Sequence, residues 1–573
     1  MQSTAPNTSP TARSALPVAR IVVGATALAT LMTAAACGRP VEAPADLILT
    51  GGDVLTLGPR GVVEALAVRG DRVVAAGTSQ EVGRLAGPGT RVVELAGRTV
   101  LPGLTDNHYH GIGGGPGVDL SGARSLGDII DGIAAAARET PAGEVIVTNS
   151  DWHEGQLTEQ RLPYRDDLDR AAPEHPVVVV RGGHQYVLNS AALAHWRIDE
   201  STPEVPGGRI GRDPAGRLNG ELVDRAKDLV TVPPRPIPDP ATLLDDLADE
   251  HARLNARGLT AIRYPGGSAG QYRALERLRE QGRLNLRVNY LLRGPRAGAV
   301  EALSEALATW PAMGGGDEWL RLGGVKLGVD GGFEGGLMRD PYEEPWGEGG
   351  TFHGLQTVPT DDYIATVREL HRQGWRVATH AVGDAAIDLV LAGYEAANSD
   401  APIAGQRWVI EHGFIPRDDQ FPRMRDLGLA VTAQHHLYVA APSLVEYWGA
   451  DRAAWTTPVR AYLDAGIPVS LGSDSPVVPW DPWSVLHHFT TRGTISAGVH
   501  GPSQRITREE ALRAMTQGYA HLTFEAADKG TLEVGRLADL VVTSEHYLDC
   551  ADPCLETMQV DMTVVGGRVV YER

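Results

Sequence analysis

The sequence predicts an α/β protein: a (β/α)8 TIM-like barrel with a composite β-sandwich built from both ends of the chain and a large insertion between barrel strands one and two. Three observations predict it. Short β-branched runs punctuated by Gly fill the segment from Asp46 to Val100, and the same style returns at Ala538–Thr543 and Met562–Tyr571. Between them, apolar strand-like runs alternate with helical stretches, the pattern of a parallel sheet with crossover helices. Ten such runs occur, at 99–108, 145–151, 177–182, 259–264, 285–292, 325–331, 376–381, 408–413, 430–436 and 469–474. The second and third fall in a long Pro- and Gly-rich stretch, about 120–257, which reads as an insertion. That leaves eight strands in order, the number a closed barrel needs.

The expected boundaries follow: a signal peptide at 1–36, the first part of the β-sandwich at 37–98, the barrel with its insertion at 99–534, and the second part of the sandwich at 535–573. With 573 residues, 42% hydrophobic and 22% charged, the chain is long and apolar enough to fold, which excludes global disorder and collagen. Its 52 Lys and Arg face 72 Asp and Glu, a formal charge of -20. That balance argues against nonspecific binding to nucleic acid or to an anionic membrane surface, since both need excess cations. A small molecule is the expected partner.

The first residues carry Arg13 and Arg20 and no acid, then the apolar run Ile21–Ala36, then Cys37. This is the layout of a secretory signal peptide. The run is shorter than the roughly 20 apolar residues of a membrane span. Ala34-Ala35-Ala36-Cys37 resembles a bacterial lipobox, in which Cys37 is lipidated and becomes the mature N-terminus; ordinary cleavage that leaves a spare Cys is the alternative. The expectation is therefore an extracytoplasmic lipoprotein, in the periplasm or at the cell surface, touching the membrane through its anchor only, with homodimer formation left open. In an oxidising compartment Cys550 and Cys554 can form a disulfide, although their spacing also fits a metal clip or two unrelated small residues.

Catalytic groups of such barrels sit at the C-terminal ends of strands. Strand one ends Thr105-Asp-Asn-His-Tyr-His110, where His108 and His110 point to one side of an extended chain and can share a metal. Strand four holds Lys326 in Gly324-Val-Lys-Leu-Gly-Val-Asp330, strand five ends at His380, strand six at Glu411-His412, and strand eight at Ser473-Asp474. A lone strand-end His is more often structural, and an Asp after Gly-Ser is commonly a helix cap. Polar groups ending four of eight apolar runs are instead costly unless a metal uses them.

Taken together these residues resemble the amidohydrolase superfamily and, within it, amidohydrolase family 3, the YtcJ-like branch that includes N-substituted formamide deformylase. The resemblance runs over about residues 46–573. It rests on Pro102-Gly103 with the His-x-His pair, Gly183-His-Gln-Tyr-Val-Leu-Asn-Ser190, Pro206-Gly-Gly-Arg-Ile210, Lys326-Leu-Gly-Val-Asp-Gly-Gly332, His380-Ala-Val-Gly-Asp384, Glu411-His412, Gly472-Ser-Asp-Ser-Pro476 and Gly535-Arg-Leu-Ala-Asp-Leu540. It implies a metal-dependent hydrolase of carbon–nitrogen bonds with one or two divalent ions, zinc being expected. It further implies that His108 and His110 bind the buried metal, that His380 and His412 bind the second, that Lys326 bridges them once carboxylated, and that Asp474 is both ligand and general base.

Substrate contacts are expected from His184 and Asn189 on the insertion, which would act as a lid, and from Trp152, Tyr109, His435 and His436. Structural readings of His184 and Asn189, satisfying loop carbonyls and turning the chain into a helix, stand beside that. The strand-two end Arg263-Tyr264 and the strand-seven end Gln434-His-His436 are likewise expected to face the substrate. Hydrolysis of an amide, N-acyl or N-formyl bond is the leading reading. A lactonase, esterase or carbamate hydrolase would use the same water attack. A non-catalytic solute-binding lipoprotein would be free to lose Asp474 or a His, and a structural envelope protein predicts no converging polar strand ends.

Overall fold

The computed structural model describes residues 43–573 apart from 116, 234–238 and 295–299, so the expected signal segment and Cys37 lie outside the described residues. Pro44–Arg573 is one compact unit. Its centre is an eight-stranded parallel sheet in chain order: barrel strand one Leu104–Asp106, two Leu259–Gly267, three Arg287–Arg293, four Leu320–Gly328, five Val377–Ala381, six Val409–His412, seven Ala430–Gln434 and eight Val469–Gly472. Strand eight returns to strand one through Asn107 N–H donating to Leu471 O at 3.3 Å and Asp474 N–H to His108 O at 2.7 Å. Nearly every residue of these strands is buried, which is why they read as continuous apolar runs rather than alternating ones.

The first predicted run, 99–108, is two strands. Gly103 divides it: a Cβ there would lie 2.2 Å from Thr260 Oγ1, so only glycine lets the chain cross strand two this closely. Thr99–Pro102 leaves the barrel and pairs with Leu540–Thr543, joining the two ends of the chain. The terminal segments form a single hydrogen-bonded sheet of eight strands, in which Leu49, Val54, Leu66 and Val100 share a buried cluster with Leu540, Val542 and Val564.

Between barrel strands one and two lies a five-stranded sheet ordered Gly208–Arg212, Leu218–Asp224, Gln185–Leu188, Val177–Arg181, Ile146–Val147. It takes up the second and third predicted runs. The Cys550–Cys554 disulfide is formed. Among the described residues no helix is long and apolar enough to cross a membrane.

Candidate metal centre

The strand ends carry His108, His110, Lys326, His380, His412 and Asp474 to one mouth of the barrel. His412 and Asp474 turn there in left-handed backbone, φ 71° and 69°. Non-glycine residues adopt that conformation at a cost of about 1–3 kcal/mol, a strain that clusters at functional sites. The donor atoms of His108, His110 and Asp474 lie within 4.8 Å of one another, and so do those of His412, His436 and Asp474.

Hydrogen bonds from behind fix which ring nitrogen faces the cluster. His108 Nδ1–H donates to Glu411 Oε2 at 2.9 Å, His412 Nδ1–H to Gln434 Oε1 at 2.7 Å, and His380 Nε2–H to Gly331 O at 3.0 Å. The other nitrogen of each ring keeps its lone pair for the cluster, the arrangement metal-binding imidazoles use. Burial pushes His108 down to about 4 and holds His380 and His412 well below the usual histidine range, so all three are neutral. Neutral imidazoles crowded around a carboxylate, with free lone pairs and anchored backs, fit a divalent ion.

Burial raises the Asp474 carboxyl, but His108, His110 and His436 outweigh it and hold it well below the carboxylate range. The contacts are His110 Nε2 at 3.2 Å and His436 Nε2 at 3.0 Å. Lys326 is partly buried in strand four, where it lines a solvent-facing cavity, with Nζ 3.3 Å from His108 Nε2, and desolvation lowers it to about 8. It is not tied to Asp330, whose carboxylate accepts from the backbone N–H groups of Leu337, Val382 and Gly383.

Two cavities open on this cluster. One, lined by Phe333, Phe414, Val382 and Val477, contains Asp474 and His436. The other, toward solvent, contains Lys326 and His110. Both are lined by His184 and His380, whose rings stack at 5.4 Å. His184 Nδ1 pairs with Asp224 Oδ1 at 2.6 Å; burial alone would lower the ring, but Asp224 raises it. The Gly-rich loop after strand four packs against this pair. A Cβ on Gly331 would meet Asp224 Oδ2 at 1.9 Å, and one on Gly332 would meet the His184 ring at 2.8 Å.

Several expected substrate contacts lie elsewhere. Tyr109 alternates to the opposite side from its histidine neighbours, is fully buried, and donates to Glu250 Oε1 at 2.7 Å. Trp152 is packed in the core of the insertion and donates to Val180 O at 2.8 Å. Asn189 caps the helix Ser190–His195, accepting from Ala192 N and Val177 N and donating to Ala172 O and His175 O, so it is structural. His435 turns to Ser484 Oγ at 3.0 Å. Arg263 does not face substrate: wholly buried on the barrel floor, it pairs with Glu411 Oε1 at 2.7 Å. His436 touches Asp474 as well as lining the cavity.

Gln434, expected to face the substrate, instead anchors the back of His412, and sequence reasoning assigned no role to Glu411, Arg181 or Glu334. Glu411 was visible as an acid inside the apolar strand Val409-Ile-Glu-His412; the others carried no local signal.

The profile of the amidohydrolase family matches residues 91–571. The chain belongs to the amidohydrolase family. It is similar to the N-substituted formamide deformylase of Arthrobacter pascens, 30% identical over 92% of this chain and 98% of that protein. It is also similar to the putative amidohydrolase YtcJ of Bacillus subtilis, 26% identical over 91% of this chain and 99% of that one. The crystal structure of an uncharacterized metal-dependent hydrolase from Pyrococcus furiosus superposes with a TM-score of 0.62 at 26% identity, covering 88% of this chain and 100% of that one. As an amidohydrolase the chain is a hydrolase of carbon–nitrogen bonds, and its strand-end cluster is where a divalent metal fits.

Proposed function

We propose that this amidohydrolase cleaves small N-substituted amides, of the N-formyl or short N-acyl type, with a divalent metal, zinc in our reading, held by His108, His110, His380, His412 and Asp474. The observation that carries the proposal is the set of neutral imidazoles whose outer nitrogens are anchored by Glu411, Gln434 and Gly331, with the donor atoms of His108 and His412 close to the ionised Asp474 carboxylate. The metal, when bound, lowers the pKa of a water and polarises the amide carbonyl.

Asp474 takes the proton of the attacking water on its carboxylate and returns it to the leaving nitrogen, as general base and then acid. His436, bonded to Asp474 Oδ2, keeps that carboxylate oriented. Lys326, its basicity lowered by burial, reacts as the free amine with CO2 to give a carbamate and a proton, replacing a costly buried cation by an anion beside the imidazoles. Phe333 and Phe414 supply an apolar wall for the N-substituent and exclude water. The similarity to an N-substituted formamide deformylase supports this substrate class.

The test is metal analysis of the purified protein followed by a hydrolysis screen of N-formyl amides, N-acyl amides, dipeptides and lactones. Stoichiometric divalent metal and turnover of the amides, abolished by a chelator and restored by metal, are expected. Turnover confined to lactones, or undiminished by chelation, overturns the proposal.

A further inference from the structure

The cavity that holds Asp474 and His436 is also lined by a buried ionic group, Arg181 with Glu334, that neither the fold nor the chemistry above accounts for. Arg181, on the insertion, is 3% exposed and spends its guanidinium on two acids. Its Nε donates to Glu154 Oε2 at 2.8 Å, its Nη2 to Glu154 Oε1, and its Nη1 to Glu334 Oε2 at 3.0 Å. Ser443 Oγ adds a donor to Glu154 Oε1 at 2.6 Å. An arginine beside a substrate cavity suggests an anionic substrate, but this one is already committed to carboxylates.

Two carboxylates share one guanidinium, and the second is left incomplete. Glu334 is fully buried and lines the cavity, yet its Oε1 has no hydrogen-bond partner among the described residues. His153 Nε2, on the same cavity, is also buried and unpartnered among them. The nearby Lys227 is engaged, its Nζ donating to Gly183 O, and Asp224 pairs with His184 through Oδ1 while its Oδ2, likewise without a partner among the described residues, does not line the cavity. A buried acceptor without a donor is costly, more so when charged, so native proteins rarely leave one unless something completes it.

We propose that Glu334 Oε1 recognises a protonated amine at the end of the substrate remote from the scissile bond, so that the preferred substrates are N-acyl or N-formyl derivatives of compounds bearing a second, cationic nitrogen. This rests on the proposed function for the position of the scissile bond. Phe333 and Phe414 then pack the apolar spacer between the two ends. A terminal carboxylate is rejected, because it would meet Glu334 with no free guanidinium donor to offset the repulsion.

The metal-loaded full chain is assayed with mono-formylated alkyl diamines, with formamides of plain alkylamines of equal length, and with formylated amino acids of equal length. The diamine derivatives are expected to show kcat/KM about 10- to 100-fold above the alkylamine series, the yield of one charge-assisted hydrogen bond, with the amino acid derivatives poorest. Glu334→Gln is expected to shrink that ratio to about threefold or less, and Glu334→Asp to keep part of it. Calorimetric binding of the same three series to metal-loaded Asp474→Asn reads the preference without turnover. Tighter binding of the ammonium series with no hydrolysis by wild type leaves the inference standing and removes the amide reading. Equal turnover and equal binding of ammonium and neutral series overturns the inference and leaves the hydrolase intact. No binding and no hydrolysis of any series overturns both.

Discussion

The chemistry concentrates in two residues that differ from their neighbours only by where they sit. Asp474 is ionised because three imidazoles surround it, and the proposed mechanism moves a proton through its carboxylate. Asp474→Asn is expected to keep the fold and much of the metal but to lower kcat by about 10²- to 10⁴-fold, read by steady-state kinetics alongside metal content. Lys326 is one of three lysines among 52 Lys and Arg, in a chain that otherwise uses arginine for its cations. Arg keeps its proton and cannot form a carbamate, so Lys326→Arg is expected to lose activity and part of the metal although it conserves the charge of an unmodified Lys. Metal analysis and a bicarbonate titration of wild type check this, and a fully active Lys326→Arg enzyme with unchanged metal content refutes carbamate formation.

At the scale of elements, strand ends place the groups and loops complete them. Gly103 separates the flanking strand from barrel strand one, so Gly103→Ala forces a Cβ to within 2.2 Å of Thr260 Oγ1. The expected loss is about 1–3 kcal/mol in urea unfolding, with metal content unchanged, since strand one must shift before its histidines do. The strand-end histidines were legible because a polar residue terminating an apolar run is a local pattern, and Glu411 was legible as an oddity for the same reason. Asn189 stayed open between a helix cap and a ligand contact because both use the same side chain, and only the positions of Val177 N and His175 O decide for the cap.

Across the whole molecule, a buried ion pair is among the contacts that tie the flanking sheet to the barrel. Arg287 of strand three, 1% exposed, meets Asp539 Oδ2 through Nε at 2.7 Å and Oδ1 through Nη2 at 3.0 Å. Burial pushes Asp539 up, but Arg287 outweighs it and lowers the carboxyl. The unfolded chain therefore binds its proton first as pH falls. The stabilisation is fully present above the ordinary Asp range, about 3.9, and is lost as pH drops through the lower folded value. Asp539→Asn is expected to cost about 3–5 kcal/mol at neutral pH and to flatten the acid limb of a stability–pH curve measured by urea unfolding. We also propose that the signal segment delivers the chain to a membrane through lipidated Cys37. Cys37→Ser is then expected in the soluble fraction and wild type in the membrane fraction; equal solubility refutes the anchor.

The sequence by itself determined the strand order, the place of the insertion and the metal-centre candidates, because strand periodicity and polar strand ends are written in consecutive residues. Only the tertiary structure decided which polar atoms meet. Tyr109, Trp152 and Asn189 went to the interior, while Arg181 met Glu334 across 153 residues of chain. Burial and pairing are set by neighbours distant in sequence, so the Glu334 oxygen that has no partner among the described residues, on which the substrate inference rests, has no local signature.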